Sequence, residues 1–362
     1  MLRRAMGIAT LFVAACCGLW AYSFEEASDG QRKSIEKGVQ WLLKAQNKDG
    51  SWGLDSKDSQ SDPTCTALAG LVLLSDGNTE RDGLSNEKVK AIRGAVEFIL
   101  TRARKAKDDI SMSQTSLIQG KLGHTVHNHF AVVFLTQVYG MRTGDLDLSD
   151  EVNAVLKPTI QKLTDYIART QDPDGSWHKN TFGSLKATCM AWVALRSAGG
   201  TGVPINGAKL DKTLQFIKKS YSNSTKLFHL EGRGGGYGDY QTMYATSSAI
   251  RVLQGSGLGN ENMTLNAIDE FIKQCKDGQW KQMFLTVEGE DYLAAMMMTH
   301  ALVSENGERW KKWYPFIRDS LVKRQNADGS WTTTACISGR TFASACALLS
   351  LTTPNRLLPI QE

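Results

Sequence analysis

One seven-residue phrase is written three times along this chain. It reads Gln46-Asn-Lys-Asp-Gly-Ser-Trp52, Gln171-Asp-Pro-Asp-Gly-Ser-Trp177 and Gln325-Asn-Ala-Asp-Gly-Ser-Trp331. Cys275-Lys-Asp-Gly-Gln-Trp280 is a degenerate fourth copy, and Gly234-Gly-Gly-Tyr237 a fifth with Tyr in place of Trp. Asp-Gly supplies a turn with positive φ, so each phrase stops a helix, and its aromatic folds back onto neighbouring helix ends. The Gln amide can bond free carbonyls of the next repeat. Trp52, Trp177, Tyr237, Trp280 and Trp331 are therefore expected to be structural.

An amphipathic stretch precedes each intact phrase, with Ile35, Val39, Leu42 and Leu43 at helical spacing before the first. A nearly charge-free helix follows each one. Those second helices align on a small residue, then Ala or Met, then Leu. The sets are Thr66/Ala69/Leu73, Asn128/Ala131/Leu135, Thr188/Ala191/Leu195, Thr246/Ala249/Leu253, Ala295/Met298/Leu302 and Ser344/Ala347/Leu351. A period of roughly 50–60 residues marks an array of six helical hairpins. Uncharged second helices imply burial on all sides. The expected fold is all-α, a single α/α toroid over residues 24–362, with six inner helices ringed by six outer ones. The inner helices are expected to begin near Asp62, His124, Ser184, Thr242, Asp291 and Arg340.

Residues 1–23 read as a leader. Arg3 and Arg4 precede a charge-free run from Ala5 to Tyr22, and Ala21-Tyr22-Ser23 offers a signal-peptidase site before Phe24. Val13-Ala14-Ala15-Cys16 also resembles a lipobox, and an uncleaved anchor is a third reading. All three export the body, making it periplasmic, secreted or envelope-attached, with membrane contact only through the leader. The net charge is +5, from 42 Lys+Arg against 37 Asp+Glu, and two of the positives lie in the leader. That argues against a nucleic-acid partner. After the leader, Cys65, Cys189, Cys275, Cys336 and Cys346 are widely spaced and odd in number, so they read as buried thiols.

The Q-x-x-D-G-S-W phrases resemble the repeats of the squalene cyclase, oxidosqualene cyclase and protein prenyltransferase β-subunit superfamily. The resemblance runs from about Ile35 to Thr353 and implies a toroid with a central cavity for an isoprenoid or another hydrophobic small molecule. The family's chemistry is carried by motifs that this chain lacks. Its cyclases protonate an alkene with a D-x-D-D acid; the nearest approach here, Asp145-Leu-Asp147 with Asp150, reads as a loop. Its prenyltransferases hold zinc with Asp, Cys and His at inner-helix starts, a pattern not reproduced in the corresponding repeats. No protein partner follows from the sequence.

A different polar cluster is expected at one rim. Asp62, Cys65, His124 and His127 occupy equivalent levels of repeats one and two, and they are zinc-competent ligand types. The same residues also read as helix caps or as polar pore lining without metal. Phe130, Phe134, Trp192, Tyr244, Tyr292, Met296 and Met297 would line the pore, either around a greasy ligand or filling it. Arg340 and Arg233 could meet an anionic group. The run Glu231-Gly-Arg-Gly-Gly-Gly-Tyr237 lacks a phosphate-loop ending and reads as a turn.

Three functions compete. The first is an exported terpene-cyclase-like or prenyltransferase-like protein that binds a hydrophobic ligand, with Asp62, His124 and Asp291 as catalytic candidates and Phe130, Trp192, Tyr244, Tyr292 and Arg340 against the ligand. The second is a carbohydrate-active toroid, with Asp62 and Asp291 as the carboxylate pair. The third is a non-enzymatic interaction module of the envelope. An open apolar pore favours the first, an open polar groove the second and a plugged pore the third.

Overall fold

A computed structural model describes residues 28–76, 86–111, 115–141, 146, 148–178, 184–229, 238–282, 284–285, 288–305, 307–355 and 358. The leader, Asp145, Asp147, Arg233 and Tyr237 lie outside these residues. The described chain is helical, with isolated bridges and no strand. Its helices are α1 (Asp29–Ala45), α2 (Pro63–Ser75), α3 (Asn86–Lys105), α4 (Leu117–Leu122), α5 (Val126–Met141), α6 (Asp150–Arg169), α7 (Ser184–Gly199), α8 (Gly207–Lys219), α9 (Gly238–Gly255), α10 (Asn262–Lys276), α11 (Gly289–Leu302), α12 (Glu308–Arg324) and α13 (Arg340–Thr352). Among them no helix is long and apolar enough to cross a membrane.

The inner ring is α2, α5, α7, α9, α11 and α13. Each packs on the next, and α13 packs back on α2, so the ring closes. The outer layer is α1, α3, α6, α8, α10 and α12, with α4 an extra short helix. Burial follows the charge pattern of the sequence. Every residue of α2 and α11 is buried, whereas α8 buries only Thr213 and Ile217. Because each inner helix is reached through an outer one, all six run the same way. Their starts fall at or within a turn of the expected positions; α9 begins a helical turn earlier, at Gly238.

The repeated phrase builds the same joint three times. Gly50, Gly175 and Gly329 have φ of +83°, +93° and +95°. A Cβ on them would lie 2.4 Å from the carbonyl oxygen of Gly94, Lys212 or Lys37 on the next outer helix. Asp49, Asp174 and Asp328 each accept from the Ser two residues on, through its backbone N–H and its hydroxyl. Trp52, Trp177 and Trp331 are fully buried. Their indole N–H groups donate to the carbonyls of Leu42, Ile167 and Leu321 at 2.8, 2.9 and 2.9 Å, closing the end of the preceding outer helix. As expected, Gln46, Gln171 and Gln325 donate to carbonyls of the next outer helix, at Ala91, Lys209 and Ser34. The last of these ties repeat six to repeat one.

The row of small residues proves to be part of the joint and not merely core packing. Thr66, Thr188 and Ser344 accept the backbone N–H of Trp52, Trp177 and Trp331. Thr246 accepts the N–H of Phe228 at 3.0 Å. Phe228, fully buried, is therefore the turn aromatic that the structure shows in repeat four, the place assigned from sequence to Tyr237. In repeat five Ala295 has no hydroxyl to offer, and the buried Trp280 indole has no partner for its N–H among the described residues.

Two substitutions test this joint by urea unfolding. Trp177→Ala should lower stability by about 3–5 kcal/mol. Gly175→Ala should also lower the midpoint, because its Cβ meets a backbone carbonyl that cannot swing aside. An unchanged midpoint in either variant contradicts the joint.

Candidate functional site

Parallel inner helices place all six of their N-termini at one mouth of the ring. Asp62 caps α2, with Oδ1 accepting from the N–H of Thr64 (2.8 Å) and of Cys65 (2.9 Å). Its Oδ2 faces His127 Nε2 at 3.8 Å, and among the described residues neither buried atom has a hydrogen-bond partner. His127 Nδ1 lies 2.9 Å from Thr64 Oγ1. Burial lowers the pKa of His127, against the pull of Asp62, and so favours the neutral ring. Cys65 is buried, and burial together with the Asp62 charge pushes its thiol up. His124 turns away from this group. Its side chain is 59% exposed, with Nε2 3.4 Å from Asp109 Oδ2. Asp62 and His127 thus meet as expected, but His124 does not join them.

A second group, on the far side of α13, was largely missed in the sequence. Glu288 stands just before α11, Glu290 and Asp291 lie in its first turn, and both of the latter are fully buried. The hydroxyl of Tyr244, on α9, is 2.5 Å from Glu288 Oε2 and 3.0 Å from Asp291 Oδ1. The backbone N–H of Leu285 donates to Asp291 Oδ2 at 3.1 Å. Burial raises the pKa of Asp291 to about 8, with Glu288 and Glu290 adding to the rise. Burial likewise pushes the Tyr244 phenol far up, so its hydroxyl stays a donor.

Glu290 Oε1 is held by Lys186 of α7, and the pair is buried on both sides. In the ring α9 stands between α7 and α11, so this ion pair is a chord across the mouth. The ammonium lies 5.3 Å from the centroid of the Tyr244 ring. Glu290 Oε2 has no hydrogen-bond partner among the described residues. A parallel bridge between Glu288 and Ala335 brings the neighbouring Cys336 to the same spot. The thiol is half-buried, and burial and the two glutamates raise its pKa to about 11. Carboxylate oxygens of Glu288 and Glu290 and the Cys336 sulfur all lie within 4.8 Å of one another. Two signals could have flagged the group: three acids opening an otherwise charge-free helix, and Lys186 as the one charge in the buried core of α7.

Below this mouth the pore is filled. Phe130, Trp192, Tyr244, Tyr292, Met296 and Met297 are each at most 4% exposed. Among the described residues, the void beside Phe130, Met190, Met296 and Met297 is about 30 Å³, enough for one water and not for an isoprenoid. Arg340 does not reach the pore. It bonds Asp55 at 2.8 Å and Asp328 at 3.1 Å on the surface and stacks over Trp41.

The resemblance to the prenyltransferases implies zinc. Asp62, Cys65, His124 and His127 do not suit it as a set, because His124 turns outward to Asp109 and does not join the other three. Glu288, Glu290 and Cys336 suit it better. They supply two carboxylates and a sulfur, and one buried carboxylate oxygen is unpartnered.

The profile of the prenyltransferase alpha-alpha toroid domain matches residues 5–111, 93–225, 139–279 and 209–356, nearly the whole chain. The chain belongs to this family. Among curated protein sequences none matches it. Among solved structures it is similar to the GH76A alpha-1,6-mannanase of Salegentibacter sp. HEL1_6, with a TM-score of 0.58 at 10% identity over 90% of this chain and 99% of that one. It is similar to an alpha-amylase from Clostridium perfringens, with a TM-score of 0.57 at 12% identity over 90% and 99%. At such identities these likenesses show the toroid alone. The type II terpene cyclase MstE from Scytonema aligns at a TM-score of 0.36 and 12% identity, over 91% of this chain and 99% of that one, and adds nothing further.

Two predictions follow from the acidic mouth. Lys186→Met should cost about 3–5 kcal/mol, because it strands a buried carboxylate, and adding Glu290→Gln should recover part of that loss. A double variant no more stable than Lys186→Met would contradict the chord. The second concerns pH. Asp291 is protonated up to about pH 8 in the folded chain but ionises near 4 when unfolded. Its stabilising effect is therefore complete below about pH 4 and is lost as pH rises to about 8. In chelator-treated protein, the melting temperature of Asp291→Asn relative to wild type should climb across that window. A flat difference would show that Asp291 is ionised in the fold.

Proposed function

We propose that the chain is an exported toroid enzyme whose reaction centre is the acidic mouth, with Glu288, Glu290 and Cys336 as ligands for a divalent cation. The observation that carries this reading is the approach of three donor atoms within 4.8 Å, one of them from a buried carboxylate with an unpartnered oxygen. Mixed oxygen and sulfur donors favour zinc over magnesium or calcium. When bound, zinc supplies a Lewis acid and an acidified water. The residues around it supply the rest. Lys186 holds Glu290 through Oε1, and Glu290 Oε2 has no hydrogen-bond partner among the described residues. Tyr244 and Asp291, hydrogen-bonded to one another, are placed to hold or move a proton beside the ligands. Glu288 and Cys336 are only partly buried, so a reactant can approach from the solvent side of the mouth.

The Glu288 and Glu290 carboxylates make this mouth a poor host for an anion, so the substrate class that fits it is neutral. The filled pore supports a reaction at the rim and not deep inside the ring. Titration calorimetry of the full chain with zinc chloride tests the reading. One ion per chain should bind, and Cys336→Ser or Glu290→Gln should weaken it at least about tenfold. Cobalt should give a thiolate charge-transfer band that Cys336→Ser abolishes. Absence of binding, or binding indifferent to both substitutions, contradicts the proposal.

A further inference from the structure

The joint at Gly175 carries a histidine that reaches into the neighbouring hairpin. His178 follows the buried Trp177 and holds a left-handed backbone, with φ of +59°. That region is strained for a residue with a side chain, and the contacts of the ring offset the strain. Those contacts lie at the start of α5. His178 Nε2 accepts the backbone N–H of Thr125 at 3.2 Å, and the Thr125 hydroxyl lies 2.9 Å from the same nitrogen. Gly123, with φ of +107°, gives the ring its room: a Cβ there would stand 2.8 Å from His178 Cδ2. Thr125 Oγ1 also lies 3.0 Å from Nε2 of His129, a fully buried ring of α5.

The backbone N–H of Thr125 fixes the protonation of His178. A ring nitrogen that accepts a peptide N–H carries no proton, so the neutral ring holds its hydrogen on Nδ1. Uptake of a proton sets N–H against N–H at Nε2 and breaks the bond to Thr125. It also brings a positive charge to the N-terminus of α5, the end of the helix dipole that repels it. With that bond lost, the strained backbone gains by relaxing out of the left-handed region. Burial lowers the His178 pKa and His124 adds to the fall, while Asp172, in the same joint, and Asp109, after α3, oppose it. Burial lowers the His129 pKa to about 3, so that ring stays neutral while His178 titrates. The stabilising effect of the contact is therefore complete above about pH 6.5 and is lost as pH falls through the lower value of the folded chain.

We infer that His178 is an acid-released latch between this joint and the start of α5, shut by the neutral ring and opened by its protonation. Opening frees the first turn of α5, which carries His127 and His129. The latch is separate from the Glu288 group, and neither zinc nor catalysis there bears on it.

Imidazole nitrogen NMR and amide hydrogen exchange on the full chain test the inference. His178, assigned by the loss of its signals in His178→Gln, should show the Nδ1–H tautomer at about pH 8. Protection of the amides at the start of α5, corrected for intrinsic exchange, should fall about tenfold per pH unit once His178 titrates, the change expected when opening takes up one proton. The protection of α9 should hold over the same range. His178→Gln puts an amide oxygen, an acceptor at every pH, in the place of Nε2 and should abolish the dependence, whereas His124→Gln should keep it. Should His178→Gln fail to fold, the tautomer and the wild-type exchange profile still decide. An Nε2–H tautomer, protection at α5 that ignores pH or falls in step with that of α9, or the same acid loss in folded His178→Gln overturns the inference.

Discussion

The ring depends on a close approach between two backbones. At Gly50, Gly175 and Gly329 the turn lies so near the next outer helix that no side chain fits. The Asp-x-Ser bonds hold the turn, the buried indole ties it to the helix it ends, and the Gln amide reaches across to the helix that follows. Spacing and angle between hairpins are thereby set by backbone contact, not by adaptable side chains. Gly329 against Lys37 and Gln325 on the Ser34 carbonyl apply the same joint to the seam, so the sixth hairpin meets the first.

Closure has an electrostatic consequence. Six inner helices in one direction gather the positive ends of six dipoles at a single mouth, where anionic side chains are favoured. Asp62, Glu288, Glu290 and Asp291 all stand there. Their burial sets their chemistry. Asp62 has two backbone N–H donors, Glu290 has an ammonium, and Asp291 has a phenol and a backbone N–H and remains protonated. The same dipoles present their negative ends at the other mouth, where Arg251 and His300 are found.

The fold was legible because its determinants are local. Asp-Gly-Ser-Trp states a turn, a helix end and an aromatic clamp within four residues, and the charge-free helices announce the inner layer. In repeat four Phe228 sits outside any Gly-rich phrase, and its role shows only in the Thr246 hydroxyl that accepts its N–H. The site was less legible because it is built from long-range pairs. Aligning the repeats put Asp62 and His127 together, since both lie at inner-helix starts of adjacent hairpins. It put His124 with them as well, although a loop carboxylate, Asp109, takes that ring outward. Tyr244 was placed in the pore without its carboxylate partners. Lys186 and Glu290 belong to hairpins that are not neighbours in sequence, and Cys336 arrives on a loop. No periodicity connects them.

The central claim is that the reactive face of this toroid is the mouth where α9, α11 and the loop before α13 meet, rather than its axis. Anomalous diffraction at the zinc edge, from crystals of the full chain grown with zinc, tests it most directly. The account predicts one strong peak bounded by the Glu288 and Glu290 carboxylates and the Cys336 sulfur, with Lys186 still paired to Glu290. A peak at Asp62 and His127 instead, or no ordered zinc at the mouth, would contradict it.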